Sequence, residues 1–106
     1  MGEWVNVVAV GDLNPGEHML VEVEDADIVL INLDGEFYAI EDVCTHDGSE
    51  ISSGCLIDGS IECPRHGARF DIRTGEVTAP PAYEPIDTFP VQVVEGVVQV
   101  RDDRWD

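Results

Sequence analysis

The chain has 106 residues, which gives room for one domain with a modest core, and 43% of them are apolar, as in folded globular proteins. Its 23 acidic residues face only five basic ones, all of them arginine, which gives a net charge of −18. Such an excess of acid argues against binding to nucleic acid or to anionic membranes, because both select basic surfaces.

The N-terminal third of the chain shows strand patterns. Trp4–Val10 is rich in valine, and His18–Glu24 alternates apolar with polar side chains. Asp34-Gly35 separates the apolar runs Ile28–Leu33 and Glu36–Ile40, and this predicts a β-hairpin with a two-residue turn. No basic segment or small-residue cleavage site precedes these strands, and no stretch approaches the roughly 18 apolar residues that span a bilayer. We therefore expect a cytoplasmic protein without membrane attachment.

The middle of the chain, residues 43–81, has a different composition. It is rich in Gly, Ser, Thr and Pro, and it contains all three cysteines and two of the three histidines. Asp58-Gly59 predicts a second hairpin there. An odd number of cysteines does not suit a disulfide framework. We expect residues 43–81 to form a small site-bearing subdomain on a scaffold made by residues 1–42 and 82–106.

The C-terminal part returns to strand patterns. We expect Thr88–Val94 to bring the chain back to the scaffold, and Glu95-Gly96 between Val91–Val94 and Val97–Val100 predicts a third hairpin. No 11-residue window has helical periodicity. The sequence therefore predicts one antiparallel all-β domain spanning residues 1–106.

Two short motifs combine cysteine with histidine. They are Cys44-Thr45-His46 and Cys63-Pro64-Arg65-His66, with sixteen residues between His46 and Cys63. Each supplies one thiolate and one imidazole, and together they make a four-ligand set for a soft or borderline metal. Such a set allows a structural Cys2His2 zinc site or a Rieske [2Fe–2S] cluster. The order favours the cluster, because zinc fingers usually pair cysteine with cysteine, whereas both motifs here place cysteine before histidine.

The sequence resembles the Rieske family through these motifs and through the run HGARFDIRTGEV followed by APP. The resemblance extends from about Phe37 to Val100 and includes further family features at Gly67, Phe70, Thr74-Gly75 and Pro80-Pro81. It implies a β sandwich or barrel scaffold with a small cluster-binding subdomain. It also implies one Rieske-type [2Fe–2S] cluster held by Cys44, His46, Cys63 and His66, with the outer edges of both imidazoles exposed.

Departures from the family pattern indicate which members of the Rieske family the sequence resembles. Cysteines that form a disulfide in the cytochrome bc-type members correspond to Ser49 and Arg65, and those members also have a membrane anchor. A serine and a tyrosine that donate hydrogen bonds at their cluster correspond to Ala68 and Phe70. Fewer donors imply a potential at the low end of the Rieske range, roughly −150 mV. The resemblance is therefore to the ferredoxin component of bacterial ring-hydroxylating dioxygenase systems.

This resemblance implies an electron carrier and not an enzyme, since only His18 remains for a mononuclear iron site. The implied partners are an NAD(P)H-dependent flavin reductase as donor and a terminal Rieske oxygenase as acceptor, and we expect a monomer. Two alternatives remain at this point. One is the small subunit of an NADH-dependent nitrite reductase, and the other is a structural zinc-binding module.

Several surrounding residues have two interpretations. Arg65, Arg69 and Arg73 lie within nine residues and form either one basic patch near the ligand histidines or the partners of nearby acids. The acidic surface either steers docking onto a basic partner or only solvates the protein. We expect His18 at the surface, Cys55 as a small buried residue, and an apolar shell made by Ile51, Phe70 and the Pro80-Pro81 segment.

Overall fold

The computed structural model describes residues 3–45, 48, 50–65 and 67–104. In this part of the chain it has eleven strands in three antiparallel sheets and one 3₁₀ turn, Val10–Asp12. The strands are β1 Val5–Ala9, β2 His18–Val23, β3 Ala26–Leu33, β4 Glu36–Glu41, β5 Cys55–Ile57, β6 Ser60–Glu62, β7 Arg69–Asp71, β8 Val77–Ala79, β9 Thr88–Phe89, β10 Val91–Val94 and β11 Val97–Val100. The predicted antiparallel all-β class is confirmed. Among the described residues there is no helix with the length and hydropathy of a membrane span.

Two-residue turns set the register of neighbouring strands. The three predicted turns, at Asp34-Gly35, Asp58-Gly59 and Glu95-Gly96, join β3 to β4, β5 to β6 and β10 to β11. Both residues of each turn have positive φ, between 47° and 95°, as a type I′ hairpin requires. A fourth turn of this kind, Glu24-Asp25 between β2 and β3, has φ values of 48° and 71°. The sequence prediction misses it because neither residue is a glycine.

The middle sheet, with strand order β2-β3-β4-β9, is packed on both faces. On β3, Val29 and Ile31 belong to the apolar cluster shared with the small sheet β5-β6-β7-β8. Ile28 and Leu30 belong to the cluster shared with the third sheet, β1-β11-β10. Successive side chains of a strand point to opposite faces, so β3 is buried on both. This double burial explains why its sequence is a continuous apolar run and does not alternate.

The predicted strand Thr88–Val94 is wrong as a single element. It is divided at Pro90 into β9, which pairs with β4, and β10, which pairs with β11. Proline has no N–H to continue a ladder of hydrogen bonds, and its carbonyl here accepts a bond from the Arg101 N–H at 3.2 Å. The chain therefore changes sheets at Pro90, and this change joins two layers of the fold.

The chain leaves the middle sheet after β4 and returns to it before β9. Arg104 contacts acidic residues at both of these places. Its Nη1 lies 2.9 Å from the Glu41 carboxylate and 3.7 Å from that of Asp87. Its Nε lies 3.0 Å from the buried Asp102 carboxylate, and its guanidinium lies 5.0 Å from the centre of the Phe89 ring. Hydrogen bonding from Arg104 is the main cause that lowers the pKa of Asp102 below its ordinary value.

Candidate metal centre

The two motif cysteines are buried in one apolar cluster. Cys44 lies three residues after β4 and Cys63 lies directly after β6, and their exposed fractions are 0% and 1%. Both belong to the cluster between the middle and small sheets. The predicted ligands His46 and His66 lie outside the described residues. Among the predicted ligands that are described, the structure therefore brings both thiols into the same core.

The same backbone hydrogen bond, from the N–H four residues later, is made to the carbonyl of each cysteine. The carbonyl of Cys44 accepts a hydrogen bond from the Gly48 N–H at 2.7 Å, and that of Cys63 accepts one from the Gly67 N–H at 3.1 Å. The two glycines have φ values of 77° and 78°, in the left-handed region that favours glycine. The glycine that follows each motif is thus explained by the turn. We call residues 44–48 and 63–67 the first and second ligand segments.

This arrangement fits a metal centre. Burial alone would also suit apolar core thiols, but the repeated turn distinguishes these two cysteines from the rest of the core. A buried thiolate needs compensation of its charge, which coordination to a metal supplies. Within the described ranges, no three His, Cys, Asp or Glu side chains come together as a further metal site.

Two of the predicted shell residues, Ile51 and Phe70, lie in the same apolar cluster as the cysteines, whereas Pro80 and Pro81 do not belong to it. Ile51, Ala68 and Phe70 are fully buried and belong to the same cluster as both thiols. The Cys63 N–H donates to the Ala68 carbonyl at 2.7 Å, which fixes the end of the second ligand segment. Neither Ala68 nor Phe70 has a side-chain hydrogen-bond donor. Ala68 and Phe70 therefore add only apolar surface to this cluster.

The segment after Pro80-Pro81 is joined to the first ligand segment. The Thr45 hydroxyl donates to the Glu84 carbonyl at 2.7 Å. Ala82 is buried in the cluster that contains the cysteines, whereas Pro80 and Tyr83 are exposed. This hydrogen bond supports a covering role for the proline-containing segment, with Ala82 as its buried residue.

A close approach at Gly54 brings the chain after the first ligand segment against the chain before the second. Gly54 is buried, and its N–H donates to the Ile51 carbonyl at 2.9 Å. A Cβ at this position would overlap the carbonyl oxygen of Glu62, the residue immediately before Cys63. Only glycine lets the two backbones lie this close, and the sequence pattern gave no sign of it.

Two side chains, His18 of β2 and Asp42 directly after β4, hold the chain after the first ligand segment. Asp42 accepts hydrogen bonds from the N–H groups of Ile51 and Ser52, and His18 contacts the Ser52 carbonyl. His18, which was expected at the surface, is half-buried and hydrogen-bonded. Sequence reasoning missed both residues because they lie outside the Cys/His motifs.

The three neighbouring arginines lie at different places along the second ligand segment and β7. Arg65 is exposed in the second ligand segment. Arg69 pairs with Glu62 at 2.9 Å. Arg73 lies past the other end of β7, near the Asp58-Gly59 turn, with its guanidinium 5.8 Å from the centre of the Tyr38 ring. The expectation of a partner acid is confirmed for Arg69.

Cys55 is exposed, so the expectation that it is buried is wrong. It begins β5, the edge strand of the small sheet, and pairs with Glu62 of β6. Its neighbour Leu56 packs against the apolar cluster. Because side chains alternate along a strand, Cys55 then points away from that cluster.

The family model for the Rieske [2Fe–2S] domain matches residues 3–90. The chain is 37% identical over 91 residues to the ferredoxin component of a naphthalene 1,2-dioxygenase system from Pseudomonas putida, covering 86% of this chain and 88% of the relative.

Two solved structures are also similar. The first is a complex of reduced oxygenase and oxidised ferredoxin in carbazole 1,9a-dioxygenase, with 39% identity, a TM-score of 0.86, and coverage of 92% of this chain and 91% of the other. The second is described as the small subunit of an NADH-dependent nitrite reductase from Mycobacterium tuberculosis. It has a TM-score of 0.85 and covers 96% of each chain, but at 24% identity this likeness concerns the fold alone.

Proposed function

This chain belongs to the Rieske [2Fe–2S] domain family, and we propose that it carries single electrons to a terminal Rieske oxygenase. The similarity to ferredoxins over most of the chain carries this proposal. The naphthalene dioxygenase relative is a ferredoxin component, and the carbazole dioxygenase structure contains a ferredoxin together with its oxygenase. The protein is accordingly an electron-transfer component of a multicomponent oxygenase and not itself the enzyme.

The cofactor is one Rieske-type [2Fe–2S] cluster, which when bound accepts and releases one electron. We propose Cys44, His46, Cys63 and His66 as its ligands. The buried position of both cysteines and the matching turns that follow them support this set. The structural zinc module that the donor set alone would allow is not retained, because the family is an iron–sulfur family.

The residues around the cysteines serve this function by excluding water. Ile51, Ala68 and Phe70 are fully buried beside the thiols, and apolar surroundings disfavour the extra negative charge of a reduced centre. Ala68 and Phe70 also offer no side-chain donor to stabilise that charge. Both features support a potential at the low end of the Rieske range.

The remaining parts of the proposal concern the partners and the organisation of the chain. We propose a flavin-dependent, NAD(P)H-oxidising reductase as electron donor, a monomeric carrier, and a cytoplasmic location. We also propose a single Rieske domain with its scaffold in residues 1–42 and 82–106 and its cluster-binding subdomain in residues 43–81. The position of the small sheet between β4 and β9 supports this division.

Metal analysis tests the cofactor and its ligands. The purified protein should contain about two irons and two labile sulfides per chain and give a Rieske-type EPR signal after reduction. Cys63→Ser should abolish this signal. Cys55→Ser is the matched control and should retain it, because Cys55 is exposed at a sheet edge. Stoichiometric zinc without sulfide in iron-replete protein would contradict the proposal.

Electron delivery tests the function. Reduced protein should transfer its electron to a purified terminal oxygenase of the naphthalene dioxygenase type in stopped-flow mixing, and should support product formation when a flavin reductase and NADH are added. Support of nitrite reduction in place of oxygenase turnover would instead favour the nitrite reductase alternative.

A further inference from the structure

Ser52 is fixed by hydrogen bonds to its N–H, its hydroxyl and its carbonyl. The Asp42 Oδ1 accepts the N–H groups of Ile51 and Ser52, both at 2.8 Å, and the Asp42 Oδ2 accepts the Ser52 hydroxyl at 3.2 Å. The Nε2 of His18 lies 2.7 Å from the Ser52 carbonyl oxygen. Because a carbonyl can only accept, Nε2 carries the proton and donates it.

Both holding residues are themselves attached to the central strand β3. His18 begins β2 and pairs with Ile31, and the Asp42 N–H donates to the Asp27 carbonyl at 2.9 Å. β3 is the most deeply buried strand of the described fold, with every residue from Ile28 to Asn32 buried. The bonds to Ser52 thus connect the chain after the first ligand segment to the rigid centre of the molecule.

The same bonds close a loop that contains the first motif. Asp42 and Ile51 are nine residues apart and in direct hydrogen-bond contact, and Cys44 lies two residues after Asp42. Holding both ends of a short loop removes much of the conformational freedom of the residues between them. Ligands held in advance of binding lose less entropy when they coordinate.

We propose that Asp42 and His18 are positioning residues that hold the first ligand segment in its binding conformation through Ser52. This inference rests on the proposed function, because the segment supplies two of the four proposed ligands. Neither residue is among the four proposed ligands. They act through the backbone of residues 51 and 52, so their loss should weaken retention of the cluster more than it weakens the fold.

The test compares the rate of cluster loss among purified variants, followed by bleaching of the visible absorbance at a fixed temperature below unfolding. His18→Leu should lose the cluster about fivefold to tenfold faster than wild type, the factor that one hydrogen bond of typical net strength represents. His18→Gln should stay within about twofold, because its amide nitrogen reaches the same carbonyl and can donate to it.

The Asp42 variants separate hydrogen bonding from charge. Asp42→Ala removes all three bonds and should accelerate cluster loss by at least about tenfold, because it removes more hydrogen bonds than His18→Leu does. Asp42→Asn keeps an oxygen for both backbone N–H groups and should remain close to wild type in rate. Should Asp42→Ala fail to fold, the two His18 variants still decide the question.

The matched control is Asp71→Ala. Asp71, the last residue of β7, also accepts two backbone N–H groups, from Arg73 at 2.8 Å and Thr74 at 3.1 Å in the turn that follows. The second ligand segment lies before the other end of β7. It should lower the unfolding temperature while leaving the rate of cluster loss and the EPR line positions unchanged.

The outcomes separate this inference from the proposed function. Equal acceleration by Asp71→Ala and Asp42→Ala would mean a general loss of stability and would overturn the positioning role. So would wild-type rates in both Asp42→Ala and His18→Leu. Wild-type protein that contains no iron and sulfide would overturn the proposed function itself, and the inference with it.

Discussion

Gly54→Ala is the sharpest single test of how the two ligand segments are brought together. Gly54 has no positive φ, so backbone strain plays no part. An added Cβ would overlap the Glu62 carbonyl oxygen and would lie 3.0 Å from both the Glu62 carbonyl carbon and the Ile51 carbonyl oxygen. All three are backbone atoms, which cannot rotate aside as a flexible side chain could. One of the two backbones must therefore move.

The expected cost follows from this overlap. Inserting a methyl group into a packed interior costs about 1–3 kcal/mol, and more where the surroundings cannot yield. Glu62 is held in β6 by its pairing with Arg69 on one side and Cys55 on the other, so we expect about 3 kcal/mol. For a domain of this size that corresponds to a fall in the unfolding temperature of about 10–20 °C.

The assay measures the unfolding temperature together with iron and labile sulfide per chain. Gly11→Ala is the matched control, because Gly11 also has no positive φ and has nothing within 4 Å of an added Cβ. It should change stability by no more than about 1 kcal/mol. If Gly54→Ala behaved like Gly11→Ala in both measurements, the close approach at Gly54 would not be what holds the segments together.

Three further predictions concern charge and potential. Arg104→Met should cost about 3 kcal/mol because it leaves Asp102 buried and unpaired. Arg104 lowers the pKa of Asp102 in the folded state, so the free energy of unfolding of the wild type should fall as the pH drops below about 4. Denaturant titrations of Arg104→Met should lack most of this decline. Ala68→Ser with Phe70→Tyr should raise the reduction potential measured by EPR-monitored titration, because each adds a donor, and an unchanged value would contradict the account given for the low potential. The rate of electron transfer should fall steeply with added salt if the charge of −18 steers docking. Arg65→Glu should slow transfer to a partner without shifting the reduction potential. A rate that does not change with salt would mean that the acidic residues only solvate the surface.

The hairpins could be predicted because their signals are local. An Asp-Gly or Glu-Gly pair between two apolar runs is enough to specify a tight turn, and all three turns predicted in this way are confirmed. The turn at Glu24-Asp25 has the same backbone conformation without a glycine. Its conformation is imposed by the six-pair ladder between β2 and β3, which short-range sequence signals do not encode.

The layering of the sheets could not be predicted for a similar reason. The apolar run of β3 indicates a buried strand, but it does not say that two different sheets cover its faces. The exchange of sheets at Pro90 depends on which neighbour each half of the run finds. The exposure of Cys55 depends on the register of an edge strand. All three are consequences of tertiary pairing.

The candidate site also has a part that the sequence predicts and a part that it does not. Spacing and residue type predicted Cys44 and Cys63 as metal ligands. Both are buried in one apolar cluster, as binding to one metal centre requires. The residues that support them carry no motif. Asp42, His18 and Gly54 act through backbone groups of residues distant in sequence, at separations of up to 34 positions. Such contacts depend on the fold and become visible only in the structure.

Asp42, one of the two positioning residues, lies directly after the point where the chain leaves the middle sheet. Glu41, the last residue of β4, donates its N–H to the Asp87 carbonyl at 2.9 Å, and Arg104 contacts the carboxylates of both residues. Asp42 follows Glu41 directly. The backbone that carries the Asp42 carboxylate is therefore held by β3, by the returning chain and by the ion pairs of Arg104. A site whose geometry must persist through repeated gain and loss of an electron benefits from ligands carried by such rigid elements. Weakening the contacts of Arg104 should therefore reach the [2Fe–2S] cluster mainly through Asp42. A protein with both Arg104→Met and Asp42→Ala should lose its cluster little faster than Asp42→Ala alone, once rates are compared at equal distance from the unfolding temperature.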